Sequence, residues 1–566
     1  VVATVLALAV ASLVLSACVG GRSQTAPGAE PLRITHGIAS GDPSPTTIVV
    51  WARASRTARM TVEVAGVASP VWPPRRQAGP VVDAASDFTG KVLLEGLAAE
   101  TAYVYWVRFV DAAGGAEVVS EAGHFRTPPA DGTRRPVTLL WWGDLGGQGY
   151  CRDPERGYAI FTEMARVNAD LAIANGDAIY ADARCPPVTT NADHPRNAMS
   201  PDPGVAVHQL ASAAETRWST PDAVLAAFRA KWKYNLEDEA YRRFRSHTPQ
   251  AYQWDDHEVV NDWYPGEARI GAMRNIKDDR PISELAVPGR RALFDFTPIR
   301  PDVTGQIYRA IRLGALAEVF LLDARSHRDD NVLPDRPGLV LDVRLPDGER
   351  RRLEGKAKSL LGAEQREWLM RGLRDAETRG VVWKILATDT PFGVPNGGYQ
   401  VFTADGPRQP LYSVRDGWAR GNRLNSDTDG NQANPFGFES EARTILTFLK
   451  TEGIRNVVWI ATDVHHGRLL RYEPTGPLAG YVFHEFIAGP ASAISAPPFV
   501  LSTTFNPVEL YARGRRPDPA RPSFLNFGVV RIAADGALTV EIVAADGRVL
   551  PDDQGRPGRL TIAPSR

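Results

Sequence analysis

The stretch Trp141-Trp142-Gly143-Asp144-Leu145, followed about thirty residues later by Ala174-Asn175-Gly176-Asp177-Ala178-Ile179-Tyr180, decides how the chain is read. Each begins as a short apolar run, the mark of a buried strand, and each arrives at Gly-Asp. A carboxylate just past a strand's C-terminal end projects into the crevice where open α/β sheets bind ligands. Two such carboxylates make a metal site the first expectation. The rest of the chain is then read for ligands reaching the same rim.

Working outward, Thr138 to Trp142 reads as a strand, Tyr158 to Val167 as an amphipathic helix and Ala169 to Ala174 as the next strand. That is the order of a parallel βαβ unit. Residues 183–215, rich in Pro, Ala, Asp and His, read as a long surface loop. Thr220-Pro221-Asp222 caps a helix to about Tyr234, and Asp238 to Arg245 reads as another. Ala251 to Trp254 is a short strand ending in Asp255-Asp256-His257-Glu258.

The scheme then repeats. Ala317 to Asp323 is a buried strand ending in an acid, Ala363 to Arg374 a helix, and Val381 to Ala387 a strand ending at Thr388-Asp389. A helix over Glu439 to Thr451 leads to the strand Val457 to Ala461, closed by Thr462-Asp463-Val464-His465-His466. Gly480 to Ile487, Gly528 to Ile532 and Ala537 to Val543 read as antiparallel strands that finish the domain.

Upstream the texture is different. From Ile34 to about Thr127, β-rich runs such as Ile48 to Arg53, Met60 to Val64, Lys91 to Leu94 and Tyr103 to Arg108 are separated by Gly, Pro and Asp clusters. This predicts a small all-β sandwich of fibronectin III kind. The spacing of Leu97, Tyr103 and Tyr105 matches the tyrosine corner of such domains. No chemistry is legible there, so the domain reads as a structural accessory. Thr127 to Gly132 follows as a linker.

At 566 residues the chain is long enough for two or three domains, and 43% apolar content supplies ample core. A formal net charge of −1 removes any bulk electrostatic case for nucleic acid or an anionic membrane. The three cysteines, Cys18, Cys151 and Cys185, are too few for a disulfide framework. Val1 to Ala17 is an apolar run of signal-peptide length, shorter than a comfortable membrane span. Its ending Leu15-Ser16-Ala17-Cys18 resembles the bacterial lipobox, in which the cysteine is lipidated; plain cleavage after Ala17 is the alternative. Both predict an exported protein, periplasmic or at the cell surface, tethered through Cys18 if at all. The boundaries read as leader 1–18, flexible linker 19–30, β-domain 31–128 and catalytic domain 133–566.

The order Gly-Asp, Gly-Asp-x-x-Tyr, Asp-His-Glu and Asp-x-His is the ligand sequence of calcineurin-like metallophosphoesterases. Thr35-His36-Gly37-Ile38-Ala39-Ser40-Gly41-Asp42-Pro43, Asn175-Gly176-Asp177-Ala178-Ile179-Tyr180, Trp254 to Asp262 and Leu322 to Arg328 resemble, more narrowly, the PhoD-like alkaline phosphatases. The resemblance covers nearly all of the chain after the leader. It implies a four-layer αββα metallophosphoesterase sandwich behind the β-domain. Carried over residue by residue, it makes Asp177 the bridging carboxylate. Asp144, Tyr180, Cys151 and His465 would surround a ferric ion, Fe(III), with Asp256 and Asp463 serving a neighbouring calcium, Ca(II). His257 would face the substrate, stabilise the transition state and donate a proton to the leaving group. Phenolate and thiolate suit Fe(III), and carboxylates suit calcium.

Several residues keep two readings. Cys151 could instead pair with Cys185 in an oxidising compartment. Arg325 could grip phosphate through a bidentate fork, or pair with Asp323. His466 could stand beside the ligands or be merely exposed, and Asp255 is left out of the ligand set. The extra His many calcineurin-like enzymes carry between the third and last motifs has no plain equivalent, His327 being the nearest. Asp256 in place of the usual Asn adds charge and favours a hard cation at the second position.

The resemblance implies an exported hydrolase of phosphomonoesters and phosphodiesters, working at alkaline pH by attack of metal-activated hydroxide, and serving phosphate scavenging. The substrate would be a small phosphate ester and the protein a monomer. A phospholipase D-like phosphodiesterase is the alternative on the same site, with the 183–215 and 390–437 stretches shaping the pocket. An inactive surface-binding protein is the minor one.

Overall fold

The structure, a computed structural model, describes residues 31–68, 72–147, 151–153, 155–182, 220–269, 280–301, 305–405, 410–418, 434–498, 500–514 and 524–565. The expected leader with Cys18, the 19–30 linker, the 183–215 loop with Cys185 and part of the 390–437 stretch lie outside these residues.

Two mixed sheets face each other across the main core. One has nine strands and is built around the parallel strands Val137–Trp142, Leu171–Asn175 and Gln250–Gln253. The other has seven, around the parallel strands Ala317–Leu321, Trp383–Ala387, Val457–Ala461 and Phe483–Ile487. The alternation of strand side chains builds the layers directly. Leu139 and Trp141 point into the core between the sheets, where Val319, Leu321, Ile385, Val458 and Ile460 meet them. Leu140 and Trp142 point the other way, into a core capped by the helices Ile160–Arg166, Pro221–Leu236, Glu239–His247 and Ser283–Phe296. Phe320, Leu386 and Trp459 of the second sheet pack outward on Gly362–Thr378 and Glu439–Thr451. The result is the expected helix–sheet–sheet–helix sandwich. Every one of these strand positions is essentially fully buried, so truncating a tryptophan such as Trp141 to alanine would cost about 3–5 kcal/mol.

The N-terminal β-domain is a sandwich with its own core, including Val50, Met60, Val62, Val107 and Phe109. The tyrosine corner is present: the phenolic oxygen of Tyr103 accepts a hydrogen bond from the Ala98 N–H at 2.8 Å. One of its sheets, Ile34–Gly41, Ile48–Ala54 and Thr89–Leu94, runs on into the nine-stranded sheet. The seam is the parallel pairing of Gly41 with Gln250. A Cβ at Gly41 would lie 2.4 Å from the Gln250 carbonyl and 2.5 Å from Pro298, so only glycine fits. Next to it, buried Asp42 pairs with Arg309 at 2.6 Å and accepts from the Arg300 N–H at 2.9 Å.

Three features depart from the sequence reading. Phe483–Ile487 is antiparallel to Gly467–Tyr472 but parallel to Val457–Ala461, so it extends the parallel core. The helix Ser283–Phe296 was not anticipated, because Pro288 and Gly289 interrupt its pattern. A four-stranded sheet of Val340–Arg344, Arg350–Glu354, Asn396–Thr403 and Pro410–Asp416 lies where the sequence reading places no strands. Its outer strand, Arg-Arg-Arg-Leu-Glu, buries only Leu353.

Candidate metal centre

The two sheets are stitched together at the C-terminal ends of their strands. The Asn175 side-chain amide donates to the carbonyls of Thr388 and Ile460. Gln253 does the same to Leu322 at 2.5 Å and Ala387 at 2.9 Å. Thr462 Oγ1 donates to the Asn175 carbonyl at 2.9 Å, and the Trp141 indole N–H to Ala461 at 3.1 Å. These bonds satisfy carbonyls where the parallel ladders end. They also bring four strand-end loops to one place.

Asp144, Asp177, Asp463 and His465 leave those strands with φ of +59°, +51°, +71° and +55°. Non-glycine residues in the left-handed region cost about 1–3 kcal/mol each, and such strain collects at functional sites. The turn geometry aims the side chains inward. Potential ligand atoms of Asp144, Asp177 and His465 lie within 4.8 Å of one another, as do those of Asp177, Asp256 and His257, and of Asp255, Asp256 and Asp463. Asp177 belongs to the first two groups. Tyr180 Oη is 2.9 Å from His465 Nε2. All these residues are buried.

The surrounding backbone holds them in place. His465 Nδ1 donates to the Ile494 carbonyl at 2.5 Å, which leaves the Nε2 lone pair facing Asp144 and Tyr180. Glu258, fully buried, accepts from the N–H groups of Asp177, Ala178 and Asp255 at 3.1, 2.6 and 2.8 Å, locking two of the loops together. Against Asp144 runs the segment Gly489 to Ser492, whose Ala491 and Ser492 N–H groups donate to the Gly143 and Asp144 carbonyls, both at 2.9 Å. Gly489 has φ +115°, and a Cβ there would sit 2.3 Å from Asp144 Oδ2.

His257 is oriented by a residue the sequence reading passed over. Its Nδ1 is 2.6 Å from Asp182 Oδ1, while its Nε2 lies 3.9 Å from Asp256 Oδ1. The ring stacks on Tyr180 with centroids 4.1 Å apart. Burial works against its charge, but Asp182, Asp256 and Asp255 outweigh it and push the imidazole pKa up to about 10.

Behind Asp256 lies a second acidic group. Asp255, Asp262, Asp389 and Asp416 surround Arg325, which has no exposed surface. The Arg325 guanidinium is 2.6 Å from Asp255 and 2.7 Å from Asp416, and Arg328 pairs with Asp416 as well. Burial raises the Asp416 pKa, but the two arginines overcome it and hold the carboxyl well below its usual range.

Two expectations are corrected here. Cys151 is committed to a disulfide, so its sulfur is not available as a thiolate ligand. The chain's only other cysteines, Cys18 and Cys185, lie outside the described residues. Arg325 does not face substrate. It is a fully buried counter-ion to Asp255 and Asp416, while the Asp323 carboxylate is taken by the Trp254 indole and the Arg325 and Ser326 N–H groups. Of the remaining residues, His466 is buried with Nδ1 on the Val464 carbonyl at 2.7 Å. His327 is exposed and packs against Tyr308, outside the cluster. Sequence reasoning missed Asp182, Glu258, Asp262, Asp389 and Asp416. Glu258, Asp262 and Asp389 carried a weak signal as acids inside quoted motifs; Asp182 and Asp416 carried none.

The residues present fit cations. Asp144 Oδ2, Asp177 Oδ2 and Asp256 Oδ1 are buried and accept no hydrogen bond. An isolated buried carboxylate is among the costliest groups a protein can hold, and in practice it protonates or finds a cation. Burial first, then the neighbouring carboxylates, raises Asp144, Asp177 and Asp463 well above the carboxylate range. Two carboxylates, a phenol and an imidazole gather at one position, and carboxylates alone at the next.

Comparisons with known proteins bear on the fold and the family. A PhoD-like phosphatase model matches residues 139–540, and the PhoD-like phosphatase N-terminal domain model matches residues 21–129. Alkaline phosphatase D of Bacillus subtilis (strain 168) is 25% identical over 461 residues, 78% of this chain; the match spans about two thirds (66%) of that relative. Among solved structures, one described as the structure of PhoD superposes with a TM-score of 0.63 at 17% identity, covering 95% of this chain and 90% of that one. Purple acid phosphatase PPD1 from yellow lupin (Lupinus luteus) gives 0.54 at 11% identity, covering 94% and 74%. These two show the shared fold. With the catalytic-domain model matching most of its length, the chain belongs to the PhoD-like phosphatase family.

Proposed function

We propose that this protein is a metal-dependent phosphoesterase that hydrolyses phosphomonoesters and phosphodiesters at the Asp177 rim, with Fe(III) at the Asp144–Tyr180–His465 position and Ca(II) beside Asp256 and Asp463. The observation that carries the reading is the convergence of unpaired buried carboxylate oxygens on Asp144, Asp177 and Asp256. When bound, such ions supply Lewis acidity, acidifying water and polarising phosphoryl oxygens. Tyr180 and His465 supply the donor set that favours Fe(III). His257, with Nδ1 held by Asp182, keeps its Nε2–H on the Asp256 side, where it can donate to a phosphoryl oxygen or the departing ester oxygen. Asp182 and Asp256 beside the ring favour its protonated form. The intact set of acids speaks against an inert binding protein.

Elemental analysis of the purified protein, with rates on p-nitrophenyl and bis-p-nitrophenyl phosphate and on phosphatidylcholine, tests the reading and separates phosphatase, diesterase and phospholipase. Iron and calcium with turnover of the first two are expected; protein lacking both metals and inactive after reconstitution would overturn it. A visible tyrosinate-to-iron absorption should vanish in Tyr180→Phe and survive Cys151→Ser, since Cys151 is a disulfide partner.

Export belongs to the same proposal, with the protein tethered through lipidated Cys18 and releasing phosphate outside the cytoplasm. The disulfide at Cys151 supports an oxidising compartment. No helix among the described residues is long and apolar enough to cross a membrane. Palmitate labelling of the wild type but not of Cys18→Ala checks the tether.

A further inference from the structure

On the outer side of the nine-stranded sheet, beside the helix Ser283–Phe296, lies a cavity of about 510 Å³ that none of the proposed metal ligands lines. Trp254, Trp263 and Phe294 supply aromatic wall, Val287 stands 70% exposed at its edge, and Arg290 and Arg291 border it. Pockets for small molecules are typically of this size and are mainly apolar, with a few well-placed polar groups. Here the polar side chains are few. Ser283, Ser326, Arg290 and Arg291 supply them.

Charge at the mouth points to the guest. Arg291 donates to the Ala85 carbonyl at 2.9 Å. Arg290 makes no ion pair with a described carboxylate; its guanidinium lies across Gly305, where a Cβ would come within 2.0 Å of Nη2. A side chain at Gly305, which has φ +72°, would displace it. An exposed arginine with no ion pair to a described carboxylate, at the mouth of a mainly apolar cavity, complements one kind of guest.

We propose that this cavity is a ligand site for a small amphipathic anion: an apolar body with a single carboxylate, sulfonate or phosphate group. The body lies between Trp263 and Phe294, and the anionic group meets Arg290 at the mouth. Trp254, Trp263 and Ser326 directly adjoin Asp255, Asp262 and Arg325 in the chain, so the guest contacts the back of the acidic group that supports the second metal position.

The test uses the whole metal-loaded protein and the fluorescent anion 8-anilinonaphthalene-1-sulfonate. Saturable one-to-one binding is expected in the wild type. It should weaken about tenfold or more in Arg290→Ala, the loss expected for one charge-assisted hydrogen bond, and disappear in Ala286→Trp, which fills the cavity. Both variants should keep the wild-type rate of phosphate-ester hydrolysis. Displacement of the dye by 2-naphthoate identifies a ring-bearing guest and displacement by decanoate a chain; 2-naphthalenemethanol, which is neutral, should not displace it. Equal dye binding in wild type and Arg290→Ala, displacement by the neutral alcohol as readily as by the acids, or no saturable binding at all would overturn the proposal. Arg290 is a surface side chain, so its variant remains informative if Ala286→Trp fails to fold.

Discussion

The rim has two halves that handle buried negative charge in opposite ways. Around Asp144, Asp177, Tyr180 and His465, among the described residues, no lysine or arginine pairs with the carboxylates, and one oxygen on each aspartate is left without a partner. Around Asp255, Asp262 and Asp416, Arg325 and Arg328 are built in as permanent counter-ions. Charge in the first half can be balanced only by a cation from outside or by protons. The second half carries much of its balance in the chain. The lesson is that the first half is made to load an ion, while the second is made to keep its shape whether or not one is bound.

The largest effect should come from the residue that joins the halves. Asp177→Asn is expected to remove both metals and reduce hydrolysis by about a thousandfold or more, as loss of metal-derived catalysis would. Retention of iron in that variant, read by elemental analysis, would break the bridging assignment. Arg325→Leu should next separate the halves. It strands Asp255 and Asp416 and should cost about 3–5 kcal/mol in denaturant unfolding, the usual result of removing one partner of a buried pair. The visible iron band should persist, and its loss would mean that the halves are not independent.

His257→Asn should leave the metal content unchanged and lower kcat by about 10²–10⁴, the range for a removed general acid. Full activity would remove His257 from the reaction. The smallest effect concerns pH and stability in metal-stripped protein. Burial pushes Glu258 up to about 8 and Asp389 up to about 6, and raises Asp144, Asp177 and Asp463 as well. The folded state therefore holds protons that the unfolded chain releases at ordinary carboxylate pKa values. These acids make stability fall as pH rises from about 4 to about 8. A drop of a few degrees in Tm across that window is expected for the stripped protein, and a flatter profile for the loaded one. Identical profiles would show that cations do not balance these acids.

Much of the rim was legible because strand ends announce themselves. Apolar runs such as Leu139 to Trp142 and Val457 to Ala461 can only be buried strands, and the polar residues that close them must stand at the rim. Asp144 and Asp177 were found that way; the resemblance to the PhoD-like phosphatases picked out Tyr180, Asp256, His257, Asp463 and His465 at the other strand ends, and the structure gathers all of them. Cys151 and Arg325 were misread for a shared reason: their type suited the site, but partners distant in sequence had already engaged them. Arg325 meets Asp416 across 91 positions, at the end of a hairpin that no hydrophobic pattern marks.

By itself, then, the amino-acid order determined the layers, the strand ends and the kinds of ligand, because alternation and apolar length are local properties. Only the tertiary structure decided which charges face each other. It placed Asp182 behind His257, Glu258 across two loops, Arg325 among the acids and Gly489 against Asp144. Burial and Coulomb interactions depend on distance in space rather than along the chain, and those distances exist only once the two sheets have closed on each other.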